Sequence, residues 1–343
     1  MDTVRRWTRT VAAVGAIALV AGFGTTAGAD AWDARQPGPA ELFTGTDGST
    51  NYFRSAIPAN PKLDSHSASM VATMGSNTPR VNGPQWQITI YDASNSDPVY
   101  HPSFSESDWG CSVGGSIHIP AYATRELPAP GDEWIVVHNK DDGTIKSIWG
   151  ASKSSGQWNG SCGGNWPAAS GGGAASKTEG VGTGAEVQAG SGFILNSEIQ
   201  TGSIEHALYF TSTKSCRAFR APAGKSDGDG SGNSCLPMGA RMQLDPSVQC
   251  DTLSGASAGE KMICVAMQKY GGYILDSGGP GPISGIGVAG DDLTDPSRSP
   301  WQRPGNGMRD GGILDNVGLD GSTGALHHIP WNKLRVLATW NGQ

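Results

Sequence analysis

The sequence predicts an all-β fold, and more finely an antiparallel β-sandwich or jelly roll of the concanavalin-like kind with one or two short helices. The first observation behind this prediction is a series of short segments in which apolar and polar residues alternate, as along a half-buried strand. The second is the abundance of glycine, 51 of 343 residues, which with serine forms turn clusters between those segments. Short strands joined by Gly-rich turns are typical of sandwiches. The candidate strands span residues 85–91, 116–120, 133–139, 144–150, 203–211, 240–244, 272–276 and 334–340.

One helix is predicted clearly, and it runs directly into a candidate strand. Ser257 and Glu260 have the spacing of a capping box, with Ser257 as the N-cap. Apolar residues then recur at helical spacing as far as Tyr270. The glycine pair 271–272 ends the helix, because glycine tolerates the left-handed conformation that follows many helices. A shorter helix is predicted near residues 64–74.

The N-terminal segment 1–29 is predicted to be a signal peptide. A basic beginning is followed by an apolar run over residues 11–24 and by small residues at 27–29, as at a cleavage site. The apolar run is too short to span a membrane. The Arg5–Arg6 pair leaves the choice between the Sec and Tat export routes open. We therefore expect a secreted, extracellular protein whose residues 30–343 form a single all-β domain.

Cysteine usage agrees with export. All six cysteines lie after the predicted cleavage site, and an even number is typical of disulfide-bonded proteins in an oxidising compartment. The sequence alone does not choose among the possible pairings, and the simplest hypothesis joins neighbours along the chain. No pair has the C-x-x-C spacing of a zinc or redox site, so structural disulfides are predicted. The hypothetical pairs are Cys111–Cys162, Cys216–Cys235 and Cys250–Cys264.

The charge balance is acidic and restricts the class of partner. Removal of the predicted signal peptide, with its three Arg and one Asp, changes Lys and Arg from 24 to 21, Asp and Glu from 31 to 30, and the net charge from −7 to −9. No basic run is present, which argues against nucleic acid and against an anionic membrane surface as partners. Strongly anionic polysaccharides are also disfavoured. We expect a monomer that acts on a polysaccharide.

Tryptophan is the residue type that favours a sugar partner. The chain contains 11 tryptophans, and an exposed indole offers a flat apolar platform with a polar N–H group. A sugar ring can stack on such a platform, whereas a buried tryptophan is simply part of the core. Trp149 and Trp109 are predicted to hold a sugar ring in this way.

The segment 203–211 raises the question of what its histidine does. Its alternation places His206 on the apolar face with Leu208, while Glu205 and Tyr209 lie on the other face. A buried histidine is often hydrogen-bonded to a backbone carbonyl and has no further role. A functional histidine needs a partner that orients the ring or accepts its proton.

Asp276 is the predicted partner. It ends the candidate strand 272–276 and is followed directly by a Gly-rich turn, where sites are often built. A carboxylate beside a histidine fixes the imidazole tautomer and raises its basicity. The sequence therefore predicts that His206 and Asp276 line one cleft and form an acid–base pair.

Three segments in order resemble a family of secreted bacterial proteins. They are Gly-Xaa-Ile-Xaa-His-Ala-Leu at 202–208, Pro-Met-Gly-Xaa-Arg at 237–241 and Tyr-Gly-Xaa4-Asp-Xaa-Gly at 270–278. The resemblance covers about the second half of the chain after residue 29. The family has no established activity, and its members look like carbohydrate-active enzymes. The resemblance implies that four residues belong to one set: His206, Arg241, Tyr270 and Asp276.

Carboxylate pairs are the other route to glycan cleavage, because glycosidases commonly use two carboxyl groups. Asp132 and Glu133 follow a Pro-Gly turn, and we expect both to be solvated. Glu205 and His206 lie on opposite strand faces and therefore cannot both point into one cleft without a bulge. The candidate carboxyl groups are Asp92, Glu106, Asp108, Asp132, Glu133, Glu205 and Asp276.

No cofactor is predicted. The run DGDGSGN at 227–233 resembles the start of a calcium loop, but Met238 stands where an EF-hand has its bidentate glutamate. A looser surface calcium site is the weaker alternative to an ordinary polar turn. The adjacent His327 and His328 point to opposite faces if the chain is extended there, which disfavours a two-histidine metal site.

The favoured hypothesis is a secreted glycoside hydrolase that cleaves a neutral polysaccharide, with His206 as the acid–base group and Asp276 orienting or activating it. One alternative is a polysaccharide lyase, in which His206, Tyr270 or Tyr273 removes the C5 proton and Arg241 neutralises a uronate. Another is a non-catalytic protein that binds glycans or cell walls, for which the tryptophans alone would suffice.

Overall fold

A computed structural model gives the fold of much of the chain. It describes residues 42, 52–75, 77–82, 88–123, 132–167, 183–279, 285–287, 289–290, 317–319 and 326–339. The predicted signal peptide lies outside these residues. The α-helices are α1 (Ser67–Met74), α2 (Asn196–Thr201) and α3 (Ala258–Lys269). The strands are β1 (Arg80–Asn82), β2 (Ile88–Ala93), β3 (Val99–Tyr100), β4 (Ile117–His118), β5 (Ile135–Asn139), β6 (Thr144–Trp149), β7 (Ser152–Ser154), β8 (Gln157–Asn159), β9 (Cys162–Pro167), β10 (Leu208–Thr211), β11 (Ser215–Phe219), β12 (Leu236–Met238), β13 (Arg241–Leu244), β14 (Gly272–Asp276), β15 (Gly285–Gly287), β16 (Ala289–Gly290) and β17 (Leu334–Val336).

The strands form two larger sheets and three two-stranded ones. The 6-stranded sheet has the order β1-β15-β10-β14-β13-β17, and the 5-stranded sheet has the order β16-β2-β5-β6-β9. Three short pairs, β3-β4, β7-β8 and β11-β12, complete the strands of the described residues. The described part of the chain is thus mostly β, as predicted, with several mixed and antiparallel sheets.

The two larger sheets are mixed, which corrects the prediction of purely antiparallel pairing. In the first, β10 pairs in parallel with β14 while β13 pairs antiparallel with both β14 and β17. In the second, β2 pairs in parallel with β5, and β6 pairs antiparallel with β5 and β9. Parallel neighbours need a long crossover, and α3 forms part of the connection between β10 and β14. Alternation in a sequence reveals strands but not the direction of their partners.

All of the candidate strands overlap observed strands, and the largest difference is a strand that begins at residue 208 instead of 203. β10 covers only the end of the segment 203–211. Before it, the backbone N–H of Glu205 bonds to the side chain of Glu198 at 3.0 Å, and the N–H of Ala207 bonds to the carbonyl of Phe53 at 2.8 Å. Because these N–H groups serve other partners, the segment joins the sheet only at Leu208.

The 5-stranded sheet is covered on both faces, which explains its nearly continuous apolar strands. Ile90 and Val136 face the core shared with the 6-stranded sheet, while the adjacent Tyr91 and Val137 face a second, smaller core. Loops around β3, β4 and β8 supply the rest of that second core through residues such as Ile117. The two sheets therefore pack against each other across one shared apolar layer.

The capping box and all of the hypothetical disulfides are confirmed. The backbone N–H of Glu260 bonds to the Ser257 hydroxyl at 3.1 Å, and the Glu260 carboxylate accepts the N–H of Ser257 at 3.0 Å. None of the helices in the described part of the chain combines the length and the apolar character that crossing a bilayer requires. The disulfides are Cys111–Cys162, Cys216–Cys235 and Cys250–Cys264.

Two glycines have similar left-handed backbone conformations but differ in how closely other atoms approach them. Gly271 has φ +73° after α3, and an added Cβ would lie 2.2 Å from the carbonyl oxygen of Met242. Gly202 has a similar φ of +77° after α2 but meets nothing within 4 Å. We expect Gly202→Ala to cost about 1 kcal/mol of unfolding free energy through its left-handed conformation. Gly271→Ala should cost at least ~2 kcal/mol, because the backbone must also shift.

Urea denaturation of both variants measures this difference. Equal losses of unfolding free energy would mean that the chain after α3 and strand β13 can move apart without cost, contrary to the close approach of Gly271 to Met242.

Candidate functional site

A cleft of about 600 Å³ opens between the two larger sheets. Its walls are largely apolar and aromatic, with a few charged groups that converge on the interior, which is the usual composition of a ligand site. The aromatic lining comprises Trp109, Trp134, Trp149, Phe193 and Tyr209. The charged lining comprises Asp132, Asp227, Asp276 and Lys225.

Asp276 reaches the cleft from the end of β14, at the sheet edge where the sequence predicts it. The parallel neighbour β10 carries Tyr209, whose hydroxyl donates a hydrogen bond to Asp276 Oδ2 at 2.9 Å. Phe210 lies opposite Ile274, so an unbroken register would place Ser212 opposite Asp276. A register shift after Phe210 places Thr211 there instead. This bulge adjusts where the two strand ends meet the cleft.

Asp227 lies against Asp276, and the two carboxyl groups are hydrogen-bonded to each other. Backbone amides support the pair from both sides: Gly184 N–H points at Asp276 Oδ2 and Ser277 N–H at Asp227 Oδ2, each at 3.4 Å. A Cβ at position 184 would lie 2.3 Å from Asp227 Oδ2 and 2.6 Å from Asp276 Oδ1. Only glycine therefore lets the backbone approach the carboxyl pair so closely.

The carboxyl pair holds a proton. Burial, the negative charge of Asp227 and the hydrogen bond to Asp227 together raise the pKa of Asp276 to about 8, against the opposing hydrogen bonds from Tyr209 and Gly184. Two carboxylates side by side cannot both ionise easily. Burial and the nearby Asp276 also raise the pKa of Tyr209 well above its usual value, so Tyr209 acts as a neutral donor.

The predicted sugar platform lies at the rim of the same cleft. Trp109 is 52 % exposed, and its ring stacks on Trp149 with centroids 6.0 Å apart and an interplanar angle of 14°. Trp109 belongs to a 3-10 turn that the Cys111–Cys162 disulfide joins to β9. Cys162 is the register partner of Trp149, so the disulfide holds one indole beside the other.

Asp132 corrects the expectation of a solvated turn carboxylate. It is only partly exposed and lines the cleft. Its carboxylate accepts hydrogen bonds from the side chains of Trp149 and Trp134. Burial raises the pKa of Asp132, and the two indole hydrogen bonds oppose that rise.

His206 does not line the cleft, which corrects the predicted pair with Asp276. Its exposed fraction is 0 %, and its partner is Glu198 of α2, whose Oε2 lies 2.8 Å from His206 Nε2. The other ring nitrogen, Nδ1, lies 2.9 Å from the carbonyl oxygen of Ala207. Both ring nitrogens face acceptors, so the ring is an imidazolium paired with a carboxylate.

The pKa of His206 agrees with that assignment. Burial by itself would lower the pKa, but the charge and the hydrogen bond of Glu198 outweigh burial and raise the pKa above its usual value. Glu198 also accepts the backbone N–H of Leu195 at 3.1 Å and that of Glu205 at 3.0 Å. His206 therefore fastens α2 to the start of β10, which is a structural role.

Arg241 and Tyr270 also lie outside the cleft, contrary to their predicted role in substrate binding. Arg241 is buried and donates from Nε to the carbonyl of Tyr270 at 2.8 Å and from Nη2 to the carbonyl of Ser55 at 2.7 Å. Its guanidinium lies 5.3 Å from the ring centroid of Tyr273. Tyr270 is itself buried at the end of α3. These residues tie backbone segments together inside the core.

Of the predicted site residues, Asp276, Trp109 and Trp149 meet at the cleft. The residues that sequence reasoning missed are Tyr209 and Asp227. Tyr209 carried a signal, because it lies on the face of the segment 203–211 opposite His206. Asp227 carried none, because a carboxylate in a Gly-rich turn resembles any solvated loop residue.

Across the described ranges, no cluster of three or more His, Cys, Asp or Glu side chains is suited to holding a metal ion. No protein-family model matches the chain, and no curated protein or solved structure matches it.

The carboxyl pair predicts how stability depends on pH. Asp276 binds its proton more tightly in the folded protein, where its pKa is about 8, than in the unfolded chain, where it is near 3.8. Its contribution to stability is therefore complete below pH 4 and decreases as the pH rises to 8, by at most ~1.4 kcal/mol per pH unit. Solvent access to the cleft reduces that slope. Asp276→Asn removes the effect.

Thermal unfolding between pH 5 and 8.5 tests this dependence. The melting temperature of Asp276→Asn should fall less across this range than that of the wild type. Asp229→Asn, at an exposed neighbouring position, should follow the wild type. Parallel curves for all of these proteins would contradict a shared proton.

His206 gives a second prediction. Replacing it with Ala leaves the buried Glu198 carboxylate without its cation, which typically costs roughly 3–5 kcal/mol. His327→Ala, at an exposed position, should leave the unfolding free energy unchanged. Urea denaturation with circular dichroism compares the two variants. A His206→Ala protein as stable as the wild type would return His206 to the list of functional candidates.

Proposed function

We propose that the chain is a secreted glycoside hydrolase that acts on a neutral polysaccharide. The observation that carries this proposal is a pair of adjoining carboxyl groups, Asp227 and Asp276, inside an aromatic cleft, where the pKa of Asp276 is raised to about 8. A glycosidase needs a carboxyl group with a raised pKa as the general acid that protonates the departing oxygen. The sequence predicted His206 as the acid–base group, and this proposal gives the role of general acid to Asp276 instead.

Asp276 carries out the first proton transfer in the proposed reaction. Its proton moves to the glycosidic oxygen as the bond between that oxygen and the anomeric carbon breaks, and water supplies the new hydroxyl group. Asp227 keeps Asp276 protonated before the substrate arrives. Tyr209 and the Gly184 amide stabilise the carboxylate that remains, because both direct N–H or O–H groups at Asp276 Oδ2.

The lining of the cleft favours a neutral sugar. Trp109 offers an exposed indole face for stacking. Among the described lining residues, Asp132 and Asp227 outnumber the basic Lys225 even when Asp276 keeps its proton, and this acidic balance disfavours a uronate. The lyase alternative is further weakened because Arg241 and Tyr270 are buried away from the cleft, and because the raised pKa of Tyr209 makes it a poor base.

Secretion, the single domain of residues 30–343, the monomeric state, the family resemblance and the concanavalin-like jelly-roll topology stay predictions. The disulfides support the extracellular part of the proposal, since they persist in oxidising compartments. The hydrolytic chemistry depends on the cleft rather than on the finer topology.

Non-catalytic glycan or cell-wall binding is the second candidate function. It is favoured by the exposure of Trp109, because a stacking platform at a cleft rim binds sugar without any chemistry. This candidate gives no reason for a protonated carboxyl pair behind the platform, so hydrolysis remains the preferred proposal.

The proposed function is tested on purified protein against a panel of neutral and acidic polysaccharides. Reducing ends and near-ultraviolet absorbance are followed together, because elimination creates an absorbing unsaturated product and hydrolysis does not. We expect new reducing ends from a neutral polymer without absorbance, and a rate that falls as the pH rises through about 8, where Asp276 loses its proton.

Asp276→Asn should lower the hydrolysis rate by about 10²–10⁴-fold while binding to the same polysaccharide persists. Asp229→Asn is the matched control and should keep the wild-type rate. Trp109→Ala should weaken binding in either candidate function. Binding by the wild type without hydrolysis of any polymer would replace the enzyme proposal with glycan binding.

A further inference from the structure

We propose that Asp132 is the second catalytic carboxylate of the cleft, acting at the anomeric carbon opposite Asp276. The inference rests on the proposed hydrolase function and names a residue that the sequence assigned to a solvated turn. Asp132 comes from the 5-stranded sheet, just before β5, whereas Asp276 ends β14 of the 6-stranded sheet. The two carboxyl groups therefore approach the cleft from opposite walls.

Asp227 is excluded as that second group by its position. It is hydrogen-bonded directly to Asp276, so the two carboxyl groups touch. Glycosidases separate their two carboxyl groups by about 5–5.5 Å or about 6.5–9.5 Å to leave room for the sugar or a water. Asp132 is the remaining carboxyl group among the described cleft residues, and its charge, like that of Asp227, acts on Tyr209.

The partners of Asp132 are hydrogen-bond donors rather than a second acid. Trp149 and Trp134 each offer an indole N–H that can only donate. Asp276, in contrast, faces a second carboxyl group that keeps it protonated. Two carboxyl groups with such different neighbours in one cleft are the arrangement that separates a general acid from a base or nucleophile.

The backbone around Asp132 is held in place for this role. The next residue, Glu133, has a left-handed φ of +54°, which costs a non-glycine residue about 1 kcal/mol or more. The carbonyls of Asp132 and Glu133 accept the N–H groups of Gly150 at 3.0 Å and Ala151 at 2.8 Å. This strained turn lies between two cleft residues, Asp132 and Trp134.

The sugar platform and Asp132 share one residue. Trp149 stacks behind Trp109 and its indole N–H donates to Asp132. A sugar ring on the exposed face of the platform is thereby linked to the position of the carboxylate. Trp149 thus joins the binding and the chemical parts of the cleft.

The proposed step breaks one bond and forms one bond at the anomeric carbon. The bond between the anomeric carbon and the leaving oxygen breaks, and that oxygen takes the proton of Asp276. The anomeric carbon forms a new bond either to a carboxylate oxygen of Asp132 or to a water whose proton Asp132 accepts. In the first case water later hydrolyses the glycosyl ester; in both cases one water is consumed for each bond cleaved.

The experiment compares Asp132→Asn and Asp132→Ala with wild type on the polysaccharide that the wild type hydrolyses. Asn keeps an oxygen acceptor for the indoles, and a melting temperature near that of wild type verifies its fold. We expect kcat to fall by about a thousandfold with KM nearly unchanged. Azide, a small anion that replaces the missing carboxylate, should restore Asp132→Ala by about tenfold or more on an activated aryl glycoside.

Asp251→Asn, at an exposed position outside the cleft lining, is the control and should keep the wild-type kcat. The inference is overturned if Asp132→Asn keeps kcat within about threefold of wild type, or if only KM rises, since Asp132 would then merely position the platform. In both of those results the wild-type hydrolysis stands, so the proposed function survives. A wild type that hydrolyses no polymer removes the proposed function and this inference together.

Discussion

The parallel pairing of β10 with β14 is the constraint on which the cleft depends. Both strands run toward the same sheet edge, so Tyr209 and Asp276 reach it side by side. The pairing needs a long crossover, and α3 enters β14 directly from that crossover through Gly271. At the other end of β10, the buried His206 fastens α2. The core contacts that the sequence placed in a catalytic site instead hold this strand pair.

The carboxyl pair brings two acidic groups into contact, and its surroundings show how the cost of that contact is limited. Asp227 and Asp276 share a proton rather than carry two charges, and donors from Tyr209 and Gly184 reach Oδ2 of Asp276. The same arrangement stores a transferable proton inside an apolar cleft. The contact between Asp227 and Asp276 therefore limits the cost of pairing two acids and also provides the proton for the proposed reaction.

Local signals in the sequence were sufficient for the strands and the capped helix α3, because each depends on residues close in the chain. The disulfide pairing was a hypothesis among several that the sequence left open, and the structure confirms it. The direction of strand pairing was not predictable, since alternation is the same in parallel and antiparallel sheets. His206 was misassigned because its partner Glu198 belongs to α2, which is too short to leave a periodic pattern. Asp227 reaches Asp276 only through the loop that Cys216–Cys235 closes, and such approaches leave no mark in sequence.

The Cys111–Cys162 bond makes the rim of the cleft sensitive to redox conditions. It is a covalent link between the turn that carries Trp109 and the strand opposite Trp149. In a reducing cytosol those thiols stay unbonded, and the indole stack loses that anchor while the shared core between the sheets keeps its apolar contacts. The geometry at the rim of the cleft therefore depends on the redox state of the surroundings, whereas the apolar core between the two larger sheets does not.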